Sequence, residues 1–92
     1  MGMKDDVKAI EKQMKALANQ RRLSIIKFLK RTPDSSVGDI AEEIKLSFKA
    51  TSKHLGILYA AGIVEKEQDI ITVNYRIAKS LHLTTKQVLS TL

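Results

Sequence analysis

The chain contains no cysteine, no tryptophan, a single proline, four glycines and only 4% aromatic residues. Without cysteine, disulfide bonds, thiolate metal sites and thiol-based redox sensing are excluded for these residues. No apolar run approaches the roughly 20 residues that a membrane-spanning helix needs, and the N-terminus lacks the apolar core of a secretory signal. We therefore expect a soluble cytoplasmic protein that does not contact a membrane.

The 92 residues that are present suit one domain with one core, so we treat 1–92 as a single domain. A domain of this size buries only about 60–65% of its unfolded surface, and a dimer partner often adds to its stability. The formal net charge is +6. Such an excess of cations favours nucleic acid or another anionic surface as the partner, although many basic proteins bind neither.

The most informative segment runs from Val37 to Val64 and predicts two helices joined by a tight turn. Its apolar residues recur at helical spacing, and Gly62 is placed to end the second helix. No acidic residue lies between Glu43 and Glu65, which suits binding to a polyanion. Two helices with a short turn form a helix-turn-helix, the motif that places one helix in the major groove of DNA.

The flanking segments predict further helices. Apolar residues at helical spacing indicate a first helix over about 4–18. Asn19 is a favourable N-cap for a second helix, which Pro33 brings to an end. Ser36 is placed to cap the third helix and Ser47 to cap the fourth, which covers about 47–61. A last helix over about 84–92 is predicted from a capping pattern, Thr84 with Gln87.

Two segments rich in β-branched residues, 63–67 and 71–77, flank Gln68-Asp69-Ile70 as a tight loop. A hairpin cannot hold itself together in water, so its apolar residues are expected to pack on the helices: Ile63, Val64, Ile71, Val73 and Ile77. The fold class is therefore mainly α with a small β-hairpin. It is a winged helix-turn-helix in the order α-α-α-α-β-β-α.

Three stretches of the chain carry a recognisable pattern: ALANQRRLSIIKFL, Leu46 to Val64, and Tyr75-Arg76. Through them, residues 14–77 resemble the ArsR/SmtB family of small dimeric repressors. The family's opening signature is similar to ALANQRRLSIIKFL, with Arg22 at its arginine position and Gln20 where proline is usual. The end of the family's second wing strand matches Tyr75-Arg76. The DNA-binding block of the family matches Leu46-Ser47, Ser52-Lys53-His54-Leu55, Leu58 and Ala61-Gly62-Ile63-Val64.

The resemblance implies a homodimer that binds an imperfect palindrome in double-stranded DNA and blocks transcription. It also implies that the two terminal helices form the dimer interface through Val7, Ile10, Met14, Val88, Leu89 and Leu92. The chain departs from the family at the wing tip, where Glu67 and Asp69 replace basic residues. This departure predicts a weaker contact between the wing and phosphate.

Many members of the resembled family sense metal ions, but this chain lacks the ligands. Ser36 stands where one family site has cysteine, and a hydroxyl cannot replace a thiolate for soft metals. The tail offers only His82 and no carboxylate after Asp69, which is too few for tetrahedral zinc. We expect no metal and no cofactor. A small molecule or a partner protein sets the switch, or the protein has no effector.

The candidate DNA contacts lie on the fourth helix and the wing. Lys49 and Lys53 suit phosphate or guanine, and hydroxyls can donate to phosphate or base edges. Phe48, which stands where the family usually has glutamine, either stacks on a thymine methyl or packs on the core. Arg22 either contacts phosphate or bonds internally. The full set is Ser47, Phe48, Lys49, Thr51, Ser52, Lys53, His54, Lys66 and Arg76.

Two functional classes fit these residues. The first is a sequence-specific DNA-binding transcriptional regulator, a dimeric repressor that inserts helix 47–61 into the major groove. The second is a winged helix that binds protein, such as an antirepressor or a polymerase-associated module, without specific DNA binding. An enzyme is not expected, because the sequence has no glycine-rich phosphate loop, no carboxylate pair in an apolar frame and no nucleophile next to a base.

Overall fold

The computed structural model describes residues 3–92, with side chains from Val7 onward, and has the predicted winged helix-turn-helix fold. Residues 1 and 2 of the predicted domain lie outside the described residues. The elements, in chain order, are α1 (Met3–Leu17), α2 (Gln20–Arg31), β1 (Ser35–Ser36), α3 (Val37–Ile44), α4 (Phe48–Ala60), β2 (Val64–Gln68), β3 (Val73–Ile77) and α5 (Leu83–Ser90).

Short polar side chains begin three of the helices, as predicted. The side chains of Asn19, Ser36 and Ser47 each accept a hydrogen bond, 3.1 Å long, from the backbone N–H three residues later. Each bond satisfies a donor that the first turn of a helix leaves without a partner. The capping pattern predicted for the last helix is wrong, because α5 begins at Leu83 after His82, without a side-chain cap.

The sheet has three strands in the described residues, in the order β1-β3-β2, rather than the predicted two. Strand β1 pairs antiparallel with β3, with Ser35 opposite Tyr75. Asp34 turns the chain into β1 with a left-handed φ of 61°, a conformation that aspartate tolerates better than most residues. Two residues are too few to show strand alternation, so the pattern could not reveal β1.

The hairpin of β2 and β3 forms the predicted wing, but its loop lies later than predicted. The strands pair from Val64 with Ile77 to Gln68 with Val73, which leaves residues 69–72 as the connection. Ile71 therefore lies at the tip, where its side chain is 94% exposed. The prediction that Ile71 packs on the helices is wrong, whereas Ile63 and Val64 are buried in the core.

The core collects the apolar faces of the helices under the base of the wing. Helix α4 contributes Leu55 and Leu58, which are fully buried, while its Lys-bearing side faces outward. This burial fixes how α4 is rotated, because turning the helix would expose both leucines to water. The other large, fully buried side chains are Ile25, Ile26, Leu29, Ile40, Ile63 and Val64.

Gly62 ends helix α4, as predicted. Its φ of +77° is left-handed, which glycine adopts without steric cost. Two backbone bonds close the end: the Gly62 N–H donates to Tyr59 O and the Ile63 N–H donates to Leu58 O, both at 3.0 Å. This is a Schellman motif, and it directs the chain from the recognition helix into strand β2.

A buried amide joins α4 to both terminal helices. The Gln13 Nε2 donates to the carbonyl of Ala61 at 3.1 Å, and the Gln13 Oε1 accepts from the Thr85 hydroxyl at 2.5 Å. Both side chains are buried. Gln13 of α1 therefore gives hydrogen-bond partners to the carbonyl at the end of α4 and to a hydroxyl of α5. These two bonds fix the three helices relative to one another.

We expect Gln13→Ala to lower the free energy of unfolding by about 2–3 kcal/mol, because it leaves a buried carbonyl and a buried hydroxyl without partners. Urea unfolding followed by circular dichroism measures the change. The exposed Gln87→Ala is the control and should stay within about 0.5 kcal/mol of the native chain. Equal stability of Gln13→Ala and the control would contradict this role for the amide.

Candidate nucleic-acid interface

Helix α4 divides into a buried side and an outward side. Thr51, Leu55 and Leu58 point into the protein. The opposite side, at the first turns of the helix, is exposed and carries two cations, a hydroxyl and an aromatic ring. This outward set, called here the α4 face, consists of Phe48, Lys49, Ser52 and Lys53.

Phe48 resolves one of the alternatives left open by the sequence. Its ring is 62% exposed, so it does not pack into the core. The ring stands at the first position of α4, directly after the cap at Ser47. An apolar ring held in water at a helix N-terminus is available for contact with another molecule.

Two of the predicted contact residues hold the start of α4 instead. The Ser47 side chain accepts from the Ala50 N–H, although Ser47 itself remains exposed. Thr51 is fully buried, and its hydroxyl donates to the backbone carbonyl of Ser47 at 2.8 Å. The predicted contact of Thr51 with DNA therefore does not fit its buried position.

His54 contacts Arg22 across the junction of α2 and α4. The Arg22 Nη1 lies 3.2 Å from the His54 Nδ1, and because guanidinium has no acceptor, Nδ1 must be the unprotonated acceptor. Arg22 also donates through Nε to the carbonyl of Ala16 at 2.5 Å. Of the two roles open to Arg22, the structure supports the internal one, in which it joins α1, α2 and α4.

The surroundings of His54 lower its pKa below the ordinary 6.5. Burial is the largest cause, since it disfavours the charged imidazolium, and the cations Arg22, Arg21 and Lys53 follow in that order. His54 is therefore neutral at neutral pH and accepts from Arg22. Its position makes it a positioning residue for α4 rather than a cationic contact.

Arg76 on the wing is occupied by carboxylates. Its Nε lies 2.6 Å from Asp34 Oδ1, its Nη1 lies 3.8 Å from Glu65, and its Nη2 donates to Glu67. The hydrogen bonds that Arg76 donates to Asp34 and Glu67 raise the pKa of its guanidinium above the ordinary value. The predicted contact of Arg76 with DNA does not fit this arrangement, because binding a phosphate would break existing charge-assisted bonds.

Lys66 lies on the neighbouring strand and packs against an aromatic ring. Its Nζ is 4.5 Å from the centroid of Tyr59, a cation–π distance. Tyr59 belongs to the last turn of α4 and is 47% exposed. The contact holds β2 against α4. The Lys66 ammonium therefore lies at the C-terminal end of α4 and not on the α4 face.

The predicted dimer residues do not all lie at the surface. Val7 is 60% exposed, and Ile10 and Met14 are half-buried along α1. On α5, Val88 is half-buried, as is the terminal Leu92, but Leu89 is buried in the core of its own chain. Leu89 therefore supports the fold from inside, and this part of the predicted interface does not fit its position.

Sequence reasoning missed the carboxylates around Arg76. Their signal was present, because Glu65 and Glu67 lie two apart on a strand and so share one face of the sheet. Glu65 also stands directly opposite Arg76 in the register, and opposite charges at such positions attract. Asp34 could not be found in this way, since it is brought near by the unpredicted strand β1.

Within residues 3–92, no helix is both long and apolar enough to span a bilayer. Among the described side chains, those of residues 7–92, no three histidine, aspartate or glutamate groups gather at a position that suits a metal ion.

The contact of His54 with Arg22 predicts a pH dependence of stability. Because the folded state lowers the pKa of His54, the unfolded state binds the proton first as the pH falls from about 6.5. The stability from neutral His54 is thus present above that pH and is lost below it.

We expect Arg22→Ala to raise the pKa of His54 in an NMR titration, and His54→Gln to reduce the loss of stability between pH 7.5 and 5. A folded-state pKa of 6.5 or above would contradict this.

Comparison with known proteins agrees with this geometry. The family model for bacterial regulatory proteins of the arsR family matches residues 19–66, just over half of the chain. The transcriptional activator HlyU of Vibrio cholerae is 36% identical over 67 residues, which cover 73% of this chain and 61% of HlyU. The chain thus spans less than two thirds of the length of the curated relatives that it matches.

Solved structures show the same fold. Reduced HlyU from Vibrio cholerae superposes with a TM-score of 0.80 at 30% identity and covers 98% of this chain and 90% of its own. The homodimeric winged helix-turn-helix DNA-binding domain Mb0332 of Mycobacterium bovis gives 0.81 at 25% identity, over 99% and 82% of the two chains. The transcriptional repressor BigR of Xylella fastidiosa gives 0.77 at 26%, over 98% and 85%.

The arsR family and the curated relatives are regulators of transcription and not enzymes, which confirms that expectation. The match covers the whole helix-turn-helix and the beginning of the wing. The sequence resemblance is therefore confirmed: this chain belongs to the arsR family of bacterial regulatory proteins.

Proposed function

We propose that the protein is a transcriptional regulator that binds double-stranded DNA by placing α4 in the major groove. The observation that carries this proposal is the α4 face: Lys49, Ser52 and Lys53 are exposed on one side of a helix whose other side is buried. The major groove admits an α-helix, and its edges offer hydrogen-bond donors and acceptors. No acidic residue lies between Glu43 and Glu65 to repel phosphate.

The contacts divide by chemistry. Lys49 and Lys53 supply charge for phosphate, or bind guanine, and Ser52 offers a hydroxyl for a base edge or a phosphate. Phe48 supplies apolar contact for a thymine methyl. We propose that the other predicted contacts mainly hold α4 and the wing in place. These residues are Ser47, Thr51, His54, Lys66 and Arg76.

We further propose that the protein acts as a homodimer on an imperfect palindrome. The apolar side of α1, with Val7 exposed and Ile10 and Met14 half-buried, would pack on the same side of a second copy, together with α5. The related Mb0332 domain is described as homodimeric. A twofold pair presents two recognition helices about 34 Å apart, which is one turn of duplex.

The proposed mode of control is repression, in which the bound dimer covers promoter DNA and blocks transcription. The relatives include one named as a repressor, BigR, and one named as an activator, HlyU. Transcription in vitro from a promoter that carries the bound site tests the direction. Repression predicts less transcript as protein is added, and a rise in transcript would show activation instead.

The variant Lys49→Ala, Lys53→Ala should stay folded and lose about tenfold or more in affinity for its selected duplex at 0.1 M salt. It should also show a shallower dependence of affinity on salt, by about 3.6 in the log–log slope for the homodimer, because two phosphate contacts are lost in each subunit. Fluorescence anisotropy on a duplex selected by the native chain from a randomised library measures both values.

The matched control is Lys8→Ala, Lys12→Ala, which removes two exposed lysines that are also four residues apart on a helix. It lowers the net charge equally, so it should cost only the general electrostatic part of the affinity. Equal losses in the two variants would refute a specific role for α4. Absence of binding above the non-specific level would favour the protein-binding alternative.

For the dimer, we expect Val7→Glu, Ile10→Glu to give a monomer in sedimentation equilibrium, because two charges would be buried in an apolar seam. Its affinity for the palindromic duplex should fall as well, since one monomer reads one half-site. The Lys8→Ala, Lys12→Ala variant should remain dimeric. A glutamate variant that still sediments as a dimer would place the interface elsewhere.

A further inference from the structure

The tip of the wing carries two isoleucines that the fold does not use. Ile70 and Ile71 are 93% and 94% exposed, the highest values among the large apolar side chains of the described residues. The turn is closed by the Asp69 N–H, which donates to Thr72 O at 2.7 Å, and the Asp69 carboxylate accepts from the Ile70 N–H at 2.9 Å. Neither isoleucine side chain takes part in these bonds, since Ile70 contributes only its backbone N–H.

Turn chemistry does not account for these residues either. Tight hairpin turns favour glycine, asparagine, aspartate or proline, each for a backbone reason. Isoleucine is a strand residue with a stiff, branched side chain, and here neither residue adopts a left-handed φ. Contact between the wing tip and another molecule would explain why two adjacent isoleucines are exposed at this turn.

The tip is continuous with the proposed DNA-reading surface. A groove of about 450 Å³ runs between the start of α4 and the wing. Phe48 and Ser52 line one side of it, and Ile71 and Val73 line the other. A duplex held against the α4 face would therefore lie beside Ile71. Because a minor groove flanks each major groove, the wing tip would then be near the adjacent minor groove.

Charge on the wing does not favour contact with phosphate. Arg76 is held by Asp34, Glu65 and Glu67, and Lys66 lies over Tyr59. Strands β2 and β3 with their loop contain no other cation. The exposed apolar tip, rather than these charges, is therefore the main surface that the wing offers to DNA.

We propose that Ile70 and Ile71 form an apolar wedge that enters the minor groove beside the site read by α4 and partly unstacks a flexible base step. This proposal rests on the DNA binding proposed above. Apolar side chains that enter the minor groove in this way kink the duplex, and pyrimidine–purine steps such as TA kink most easily. The wing thereby selects deformable flanking sequence without reading base edges.

The test uses the full chain and a duplex selected by it from a randomised library, with 2-aminopurine at the flanking step. The variant Ile70→Ser, Ile71→Ser should bind about tenfold more weakly. Its salt dependence should be unchanged, because no phosphate contact is lost. The 2-aminopurine fluorescence, which rises on unstacking with the native chain, should stay low. Since both side chains are almost fully exposed, the melting temperature should not change.

The matched variant Ile70→Val, Ile71→Val keeps a branched apolar tip and should bind within about twofold of the native chain. Replacing the flanking TA step by GC should weaken the native chain and have little effect on the serine variant. A serine variant whose loss is accompanied by a shallower salt slope would overturn the wedge in favour of an electrostatic contact.

The failures of the two proposals can be told apart with the Lys49→Ala, Lys53→Ala variant. If the serine variant binds as tightly as the native chain while the lysine variant binds weakly, the wedge is refuted and the proposed function stands. The isoleucines would then serve contact with a protein. If both variants bind as the native chain does, the reading role of α4 fails, and the wedge fails with it.

Discussion

The rotational position of helix α4 is the constraint on which the rest of the structure depends. Leu55 and Leu58 must be buried, and they turn the opposite side of the helix, with Lys49 and Lys53, into solvent. Burying two leucines is worth several kcal/mol, far more than the repulsion between two exposed lysines. A basic surface is thus set by the apolar core beneath it.

Polar contacts then fix the position of α4 along and across its neighbours. Ser47 caps its beginning, Arg22 meets His54 on its flank, and Gln13 satisfies the carbonyl of Ala61 at its end. Gln13 also accepts from Thr85 of α5. The same buried amide therefore joins the proposed reading helix to the helices proposed for dimerisation, so the spacing of two reading helices in a dimer would depend on a contact inside each chain.

The sequence was informative at most places where a local rule decides the outcome, although the cap predicted for the last helix was wrong. The caps at Asn19, Ser36 and Ser47, the stop at Gly62 and the apolar period of the helices are such rules, and the structure confirms them.

Prediction failed where distant segments meet. Strand β1 exists only because β3 lies beside it. Thr51 is buried by the packing of α4, and Arg76 is held by two carboxylates of strand β2 and by Asp34 in the turn before β1. The register of the wing, which placed Ile71 at the tip, depended on pairing that the alternation of residues did not fix.

The most direct test of the account is the set of intermolecular nuclear Overhauser effects between the protein and its selected duplex. If α4 lies in the major groove, the Phe48 ring and the Ser52 side chain should show contacts to thymine methyl and base protons of that groove. Amides on the buried side of α4 should keep their chemical shifts. A specific complex in which Phe48 and Ser52 show no contact with DNA, while another surface does, would contradict the central claim.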